Sequence, residues 1–400
     1  MLNVVSTQKA DEIIEKEFSS YTLENEVVLL DSLIGRVLAE DIYSLEDVPS
    51  FDRSTVDGYA VIAQDTFGSS ESMPCQSENT GEILMGQIAD AEIKSGQCMK
   101  ISTGGMLPKG ADSVVMVENT EEIFDGMTLI YKSVSPYENV TAKGDDVTRS
   151  QRVLSKGTLL SSKHIGVISA LGVTRPKCYK RLKVGIISSG DEVVAVNQPL
   201  DYGKVRDINS HILGAIFAEN GFEPELYGIV GDSYEKLYDL TKKASEECDI
   251  ILLSGGSSAG ARDMTVKVIK DLGEVFVHGI AMKPGKPTII GKIGEKAVFG
   301  LPGHPAAAYF TAMRFALPLA KKLSGKAENA KTVTAVTATN ISSNNGREEF
   351  IPVELKDGTA YPIFRKSGVI SLLCRADGYI VIDRNKEGLM KGEAVEVILF

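Results

Sequence analysis

From residue 181 to 325 the chain alternates apolar strand-like runs with amphipathic helical stretches, and nothing else in the sequence constrains the fold as much. Leu182–Ser188 is an apolar run. Ile208–Asn220 reads as an amphipathic helix closed by Gly221, a good residue after a helix end. Glu225–Val230 is strand-like and Tyr234–Glu247 helix-like. Ile250-Ile251-Leu252-Leu253 is apolar at every position, so that strand needs cover on both faces. A helix over Asp263–Leu272 follows, then strands near Val275–Ile280, Thr288–Ile293 and Ala297–Phe299, then one long helix, Pro305–Leu323. Such alternation predicts a parallel, doubly wound α/β sheet.

The flanks have a different texture. Ala10, Ile13, Ile14 and Phe18 recur at helical spacing, with Ser6 placed to cap that helix. Asp31 or Ser32 is positioned to cap a second, short helix. Residues 47–140 alternate short strands with Gly, Ser, Asn and Pro: Gly58–Ile62, Cys98–Ile101, Ser113–Val117. A helix is expected over Ser162–Leu171. Residues 326–400 return to short strands at Thr332–Thr339, Phe350–Leu355, Gly378–Asp383 and Ala394–Phe400. At 400 residues the chain exceeds the ~100–200 of one domain. The expected fold class is multidomain α/β plus β: a central doubly wound α/β domain at 181–325, a small inserted β domain at 47–140 and a C-terminal β domain at 326–400.

Composition removes several function classes. The 43 Lys+Arg against 54 Asp+Glu give −11, which opposes non-specific nucleic-acid binding, and no Trp is present to stack on bases. No run approaches the ~18 apolar residues of a membrane span. The N-terminus lacks the apolar core of a signal peptide. Five scattered Cys without a C-x-x-C pair predict neither a zinc site nor a disulfide framework. The expectation is a cytoplasmic protein with no nucleic-acid and no membrane partner.

The loops after the predicted strands carry the chemistry, because open α/β sheets bind ligands beyond the carboxyl ends of their strands. Ser188-Ser189-Gly190-Asp191-Glu192 places two carboxylates after a Gly turn. They can hold a divalent cation, or simply cap a helix. Ser254-Gly255-Gly256-Ser257-Ser258-Ala259-Gly260 offers backbone N–H groups to a phosphate, or is a plain turn. It is not a P-loop. Asp263 is expected at the start of the next helix. Lys283-Pro284-Gly285-Lys286-Pro287 fixes two cations three residues apart in an acidic chain, which points to an oxyanion. Leu301-Pro302-Gly303-His304-Pro305 is a rigid strand-to-helix turn, with Pro305 suited to the first helical position. Asp52-Arg53-Ser54-Thr55-Val56-Asp57 and Ser102-Thr103-Gly104-Gly105 are polar loops of the β region.

Taken in order, these motifs resemble the MoeA / gephyrin E-domain family of molybdopterin molybdenumtransferases. Those that carry the resemblance include Gly35-Arg36-Val37-Leu38-Ala39-Glu40-Asp41, Asp57-Gly58-Tyr59-Ala60, Pro108-Lys109-Gly110-Ala111-Asp112 and Gly190-Asp191-Glu192. Further along come Ser254-Gly255-Gly256, Lys283 to Pro287, Gly300 to Gly303, Arg347-Glu348-Glu349-Phe350 and Ser367-Gly368. The resemblance implies that 1–46 and 141–180 pair into one N-terminal domain and that 181–325 binds molybdopterin. It implies a homodimer with an active cleft shared between subunits. The implied substrates are molybdate and adenylyl-molybdopterin, with AMP released and magnesium as the cofactor. Other proteins of molybdenum cofactor biosynthesis are the implied partners. By the same resemblance Asp57, Thr103, Glu192 and Asp232 are catalytic. Ser254, Gly255, Gly256, Lys283, Lys286 and Pro302 bind substrate or oxyanion, and Glu192 and Asp263 hold the metal.

Five positions depart from the family pattern. Ser257-Ser258-Ala259 stands for Val-Ser-Val, Ala261 for an acidic residue, Val56 for Met and His304 for Asn. The departures leave open a non-catalytic molybdopterin-binding or scaffold paralogue, or one that prefers tungstate.

Overall fold

The computed structural model describes residues 3–123, 126–255, 259–326, 330–343, 345–364 and 371–400, with only the backbone of 259–262. Its centre is a six-stranded sheet in the order Glu223–Val230, Lys183–Ser189, Ile250–Ser254, Lys296–Leu301, Ile289–Ile293, Glu274–His278. The first four strands are parallel. Ile289–Ile293 runs antiparallel to both its neighbours, so Glu274–His278 beyond it is parallel to the first four, which corrects the all-parallel expectation at one strand. The cause is local: Gly294, at φ 56°, allows a tight hairpin where no crossover helix intervenes. Ile250 and Leu252 face one core with Leu213, Phe217 and Phe310. Ile251 and Leu253 face the other with Leu237, Val268 and Ile269. Period-two alternation inside an all-apolar strand therefore feeds both helical layers.

The helices fall close to their expected places. Thr7–Phe18 is capped by Ser6, whose Oγ accepts from the Lys9 N–H at 3.1 Å. Asn209–Glu219, Tyr234–Glu247 and Ser162–Ala170 also form. Three readings change. Leu30–Ser32 is a single 3₁₀ turn with Leu29 at its cap, so Asp31 and Ser32 lie inside it. Burial of Val28 and Leu33 sets the chain's course there. The helix expected from Asp263 begins at Ala259, because Ala propensity carries it one turn earlier than the Asp signal. The long helix from Pro305 contains a π-helical stretch, Ala312–Ala316, before resuming at Leu317–Leu323. Pro318 has no N–H for the carbonyl of Arg314, and the wider turn absorbs that loss.

Around this centre lie three further sheet assemblies. Asn25–Val27 pairs with Lys177–Tyr179, and Ile42–Tyr43 with Arg152–Leu154, over a core that includes Leu33, Leu38, Leu160 and Ile168. The intervening residues form a six-stranded sheet in the order Ser113–Met116, Gly58–Val61, Gln97–Ile101, Cys75–Ile83, Met127–Ile130, Thr120–Glu122. Cys75–Ile83 escapes sequence reading because its interior is polar. The C-terminal sheet closes on itself, since Glu348–Lys356 pairs with both Thr359–Pro362 and Gly378–Ile382. Its edge strand, Met282–Lys283, comes from the α/β segment. Arg314, on the π stretch, clamps Asp11 with two hydrogen bonds of 2.9 and 2.7 Å and also donates to Glu348 at 3.2 Å.

Candidate functional site

The carboxyl ends of the parallel strands open into a cavity of about 310 Å³. Ser188 and Ser189 end one strand, Ser254 and Gly255 follow through the end of another, and Gly303 to Pro305 lead into the helix that starts at Pro305. Gly255 has φ 152°, and an added Cβ would strike the Oγ and carbonyl oxygen of Ser189, so only Gly lets the two loops approach. Buried Asp207 organises the floor. It accepts from Ser188 Oγ at 2.9 Å, Ser210 N at 3.1 Å and Ser210 Oγ at 2.5 Å. Asn209 Nδ2 donates to Ser254 Oγ at 2.8 Å and to the Gly303 carbonyl at 3.0 Å, which ties the two loops together.

A second cavity of about 430 Å³ lies beside it, and His304 lines both. Lys283, Lys286, Pro302 and Arg347 line this one, with Phe310, Phe350 and Phe364 as apolar wall. The Lys283 Nζ sits 2.6 Å from Glu349 Oε1. Glu349 is 6% exposed and also accepts from Ser343 Oγ at 2.9 Å. Lys286 and Arg347 make no ion pair among the described residues.

Glu192 lines the smaller cavity. No helix follows it, so the helix-cap reading of Asp191 and Glu192 falls; the chain runs into the short strand Val193–Val194. Asp232 N donates to Asp191 Oδ1 at 2.9 Å. Burial pushes the Asp232 carboxyl up, and the like charges of Asp191 and Glu192 push it further. Asp263 is exposed on the second turn of its helix and lines neither cavity. Gly256, Ser257 and Ser258, and with them Ser367 and Gly368, lie outside the described residues.

Asp57 and Thr103 meet on the inserted sheet. The Thr103 N–H donates to Asp57 Oδ1 at 2.7 Å and its hydroxyl to the same oxygen at 2.9 Å. These two hydrogen bonds, the backbone one first, hold the Asp57 carboxyl below the usual range. Both side chains are exposed and line neither cavity.

Family models match along the chain: the MoeA N-terminal region (domain I and II) over residues 5–172, a "probable molybdopterin binding domain" over 185–322, and the MoeA C-terminal region (domain IV) over 334–400. The molybdopterin molybdenumtransferase of Staphylococcus epidermidis is 30% identical, over 94% of this chain and 91% of its own length. That of Haemophilus influenzae is 30% identical, over 94% of each. The crystal structure of the MoeA molybdopterin biosynthesis protein of Pyrococcus horikoshii superposes with a TM-score of 0.89 at 38% identity, covering 99% of both chains. The chain belongs to the MoeA family.

Membership in the MoeA family implies magnesium, and the donor set answers that test. Glu192 and Asp232 are hard oxygen donors; burial raises the Asp232 carboxyl most, and the lesser push from the like charges of Asp191 and Glu192 is what a divalent cation relieves. Magnesium commonly takes one or two carboxylates, with waters and substrate phosphates completing its shell. Glu192, on the cavity wall, fits an ion held jointly with substrate; Asp232, like Asp263, lines neither cavity. Among the described residues no three His, Cys, Asp or Glu side chains gather into a complete metal cage.

Sequence reasoning on this MoeA-family chain missed Asp207, Asn209 and Glu349. The first two were legible as an Asp-x-Asn-Ser run at a helix start, a capping signature. Glu349 was not, because its role depends on a strand pairing between residues 282–283 and 348–349 that no local pattern announces.

Proposed function

We propose that this chain inserts molybdate into adenylyl-molybdopterin with release of AMP, working as a cytoplasmic homodimer whose active cleft is shared between subunits. The observation that carries the reading is the adjacency of two cavities across His304: one rimmed by strand-end Ser and Gly loops, the other by Lys283, Lys286 and Arg347. The Ser189 and Gly255 loops hold the phosphate and pterin parts of the substrate through hydroxyl and backbone donors. The cationic cavity takes molybdate, an oxyanion that ammonium and guanidinium groups bind by charge-assisted hydrogen bonds. When bound, magnesium supplies charge neutralisation at the phosphate that becomes AMP, and Glu192 would hold it, with the charge of Asp232 near by.

Asp57, like any exposed aspartate, is ionised at neutral pH, and its two Thr103 hydrogen bonds hold its carboxyl lower still. A carboxyl so depressed is a weak base, and its role is to accept a hydrogen bond from water or the incoming group and orient it. It reaches the reacting atoms from the other subunit of the dimer. Other proteins of molybdenum cofactor biosynthesis supply the pterin substrate. The test is incubation of the purified protein with adenylyl-molybdopterin, molybdate and magnesium, following AMP and mature cofactor. Folded protein that releases no AMP and forms no cofactor would overturn the reading.

A further inference from the structure

The cationic cavity contains its own anion. Lys283, Lys286 and Arg347 supply three positive charges among the described residues, and Glu349 one negative charge. The cavity is left with a formal excess of two, which suits a dianion. Yet Glu349 already occupies Lys283 at 2.6 Å. It is not a side chain that has wandered in from solvent. It is buried, it is fixed by Ser343 Oγ at 2.9 Å, and its strand is hydrogen-bonded to the strand that carries Lys283. An oxyanion seated against Lys283 must share or displace this carboxylate, and it meets a like charge in a partly dry site, where repulsion is least screened.

We propose that Glu349 is an affinity-setting positioning residue: an internal counter-anion that holds Lys283 in place and competes with the incoming oxyanion for it. Glu349 thereby tempers the hold of the three cations on an oxyanion, and its penalty grows with the ligand's charge, so that a dianion is bound without being trapped. The inference rests on the proposed function only in taking the cavity to be an oxyanion site.

The experiment is calorimetric titration of the full-length protein with molybdate, and with perchlorate as a monoanion of similar shape. Glu349→Gln keeps the size and the Ser343 contact and removes the charge. Molybdate should bind about tenfold tighter to this variant. Perchlorate should gain only about threefold, because repulsion scales with ligand charge. Glu349→Asp keeps the charge but withdraws it from Lys283, and should tighten molybdate by about threefold; it decides the matter should the Gln variant fail to fold. A purely structural Glu349 would instead lower the melting temperature and leave both affinities unchanged. Unchanged or weaker molybdate binding in the folded variants overturns the inference and leaves the oxyanion cavity standing. Wild-type protein that binds no molybdate at all overturns both.

Discussion

The α/β region and the inserted β domain carry charged candidates of opposite kinds. In the α/β region the charges are answered within the chain: Lys283 by Glu349, Asp207 by Ser188 and Ser210. They line concave space, because parallel strands deliver their following loops to one edge. In the inserted domain Asp57 and Thr103 are bonded to one another on an exposed surface and line neither cavity. On the proposed reading one region holds the ligand and the other presents a carboxylate to it. That contrast motivates the shared cleft, with binding and presentation on different subunits.

The largest expected effects test whether the presenting and holding regions both act in chemistry. Glu192→Gln should lower magnesium-dependent AMP release at least ~100-fold with pterin binding nearly intact, because the lost charge acts on the phosphate and not the ring. Near-normal turnover would refute the catalytic assignment; the helix-cap alternative is already gone. Next comes complementation. Asp57→Ala and Lys283→Ala proteins, each impaired alone at limiting molybdate, should regain activity when their subunits are exchanged, because one site in each heterodimer is intact. A solution monomer, or no recovery after verified exchange, would break the division of labour drawn above.

A smaller effect sharpens the holding region. From sequence, Lys283→Ala looks like a surface change of within ~0.5 kcal/mol. The structure changes that expectation, because the substitution strands the buried Glu349 carboxylate. Unpairing a buried ion pair costs ~3–5 kcal/mol when both partners are enclosed. Lys283 is 48% exposed, so roughly 1–2 kcal/mol is expected here. Molybdate affinity should fall about tenfold. Thermal melting and titration read the two separately, and the stability loss should be recovered by adding Glu349→Gln.

This correction shows where the sequence stops being legible. Elements whose cause is local were readable: the Ser6 cap, the doubly apolar Ile250–Leu253 run, the helix Tyr234–Glu247. Clusters that share one sheet edge were partly readable, since Ser254, Gly255 and Glu192 all follow strands. What stayed hidden depends on long-range register. The one antiparallel strand of the central sheet, Ile289–Ile293, looks like any other apolar run. The Glu349 partnership spans 66 positions in sequence and is set by a two-residue strand joining two sheets. The π stretch was foreseeable from Pro318, but the use of its Arg314 to bind Asp11 and Glu348 was not.

The smallest effect probes the presenting carboxylate. Thr103→Val removes the hydroxyl donor to Asp57 and keeps the backbone donor, which is the larger cause of the lowered pKa. With one of two hydrogen bonds gone, the ionised form loses support and the pKa moves up, back toward an ordinary aspartate. A depressed carboxylate favours the folded state above its unfolded pKa, and that contribution is lost as pH falls through the folded pKa. In the variant the loss therefore begins at higher pH. Because Asp57 is fully exposed, the consequence for stability is slight, and the clearer signal is kinetic. The acid limb of AMP release should shift to higher pH in Thr103→Val while the alkaline limb stays put, and Thr103→Ser, which keeps the hydroxyl, should restore the wild-type limb. If the acid limb does not move while turnover still falls, Thr103 touches the substrate directly, and the inserted domain presents two groups instead of one.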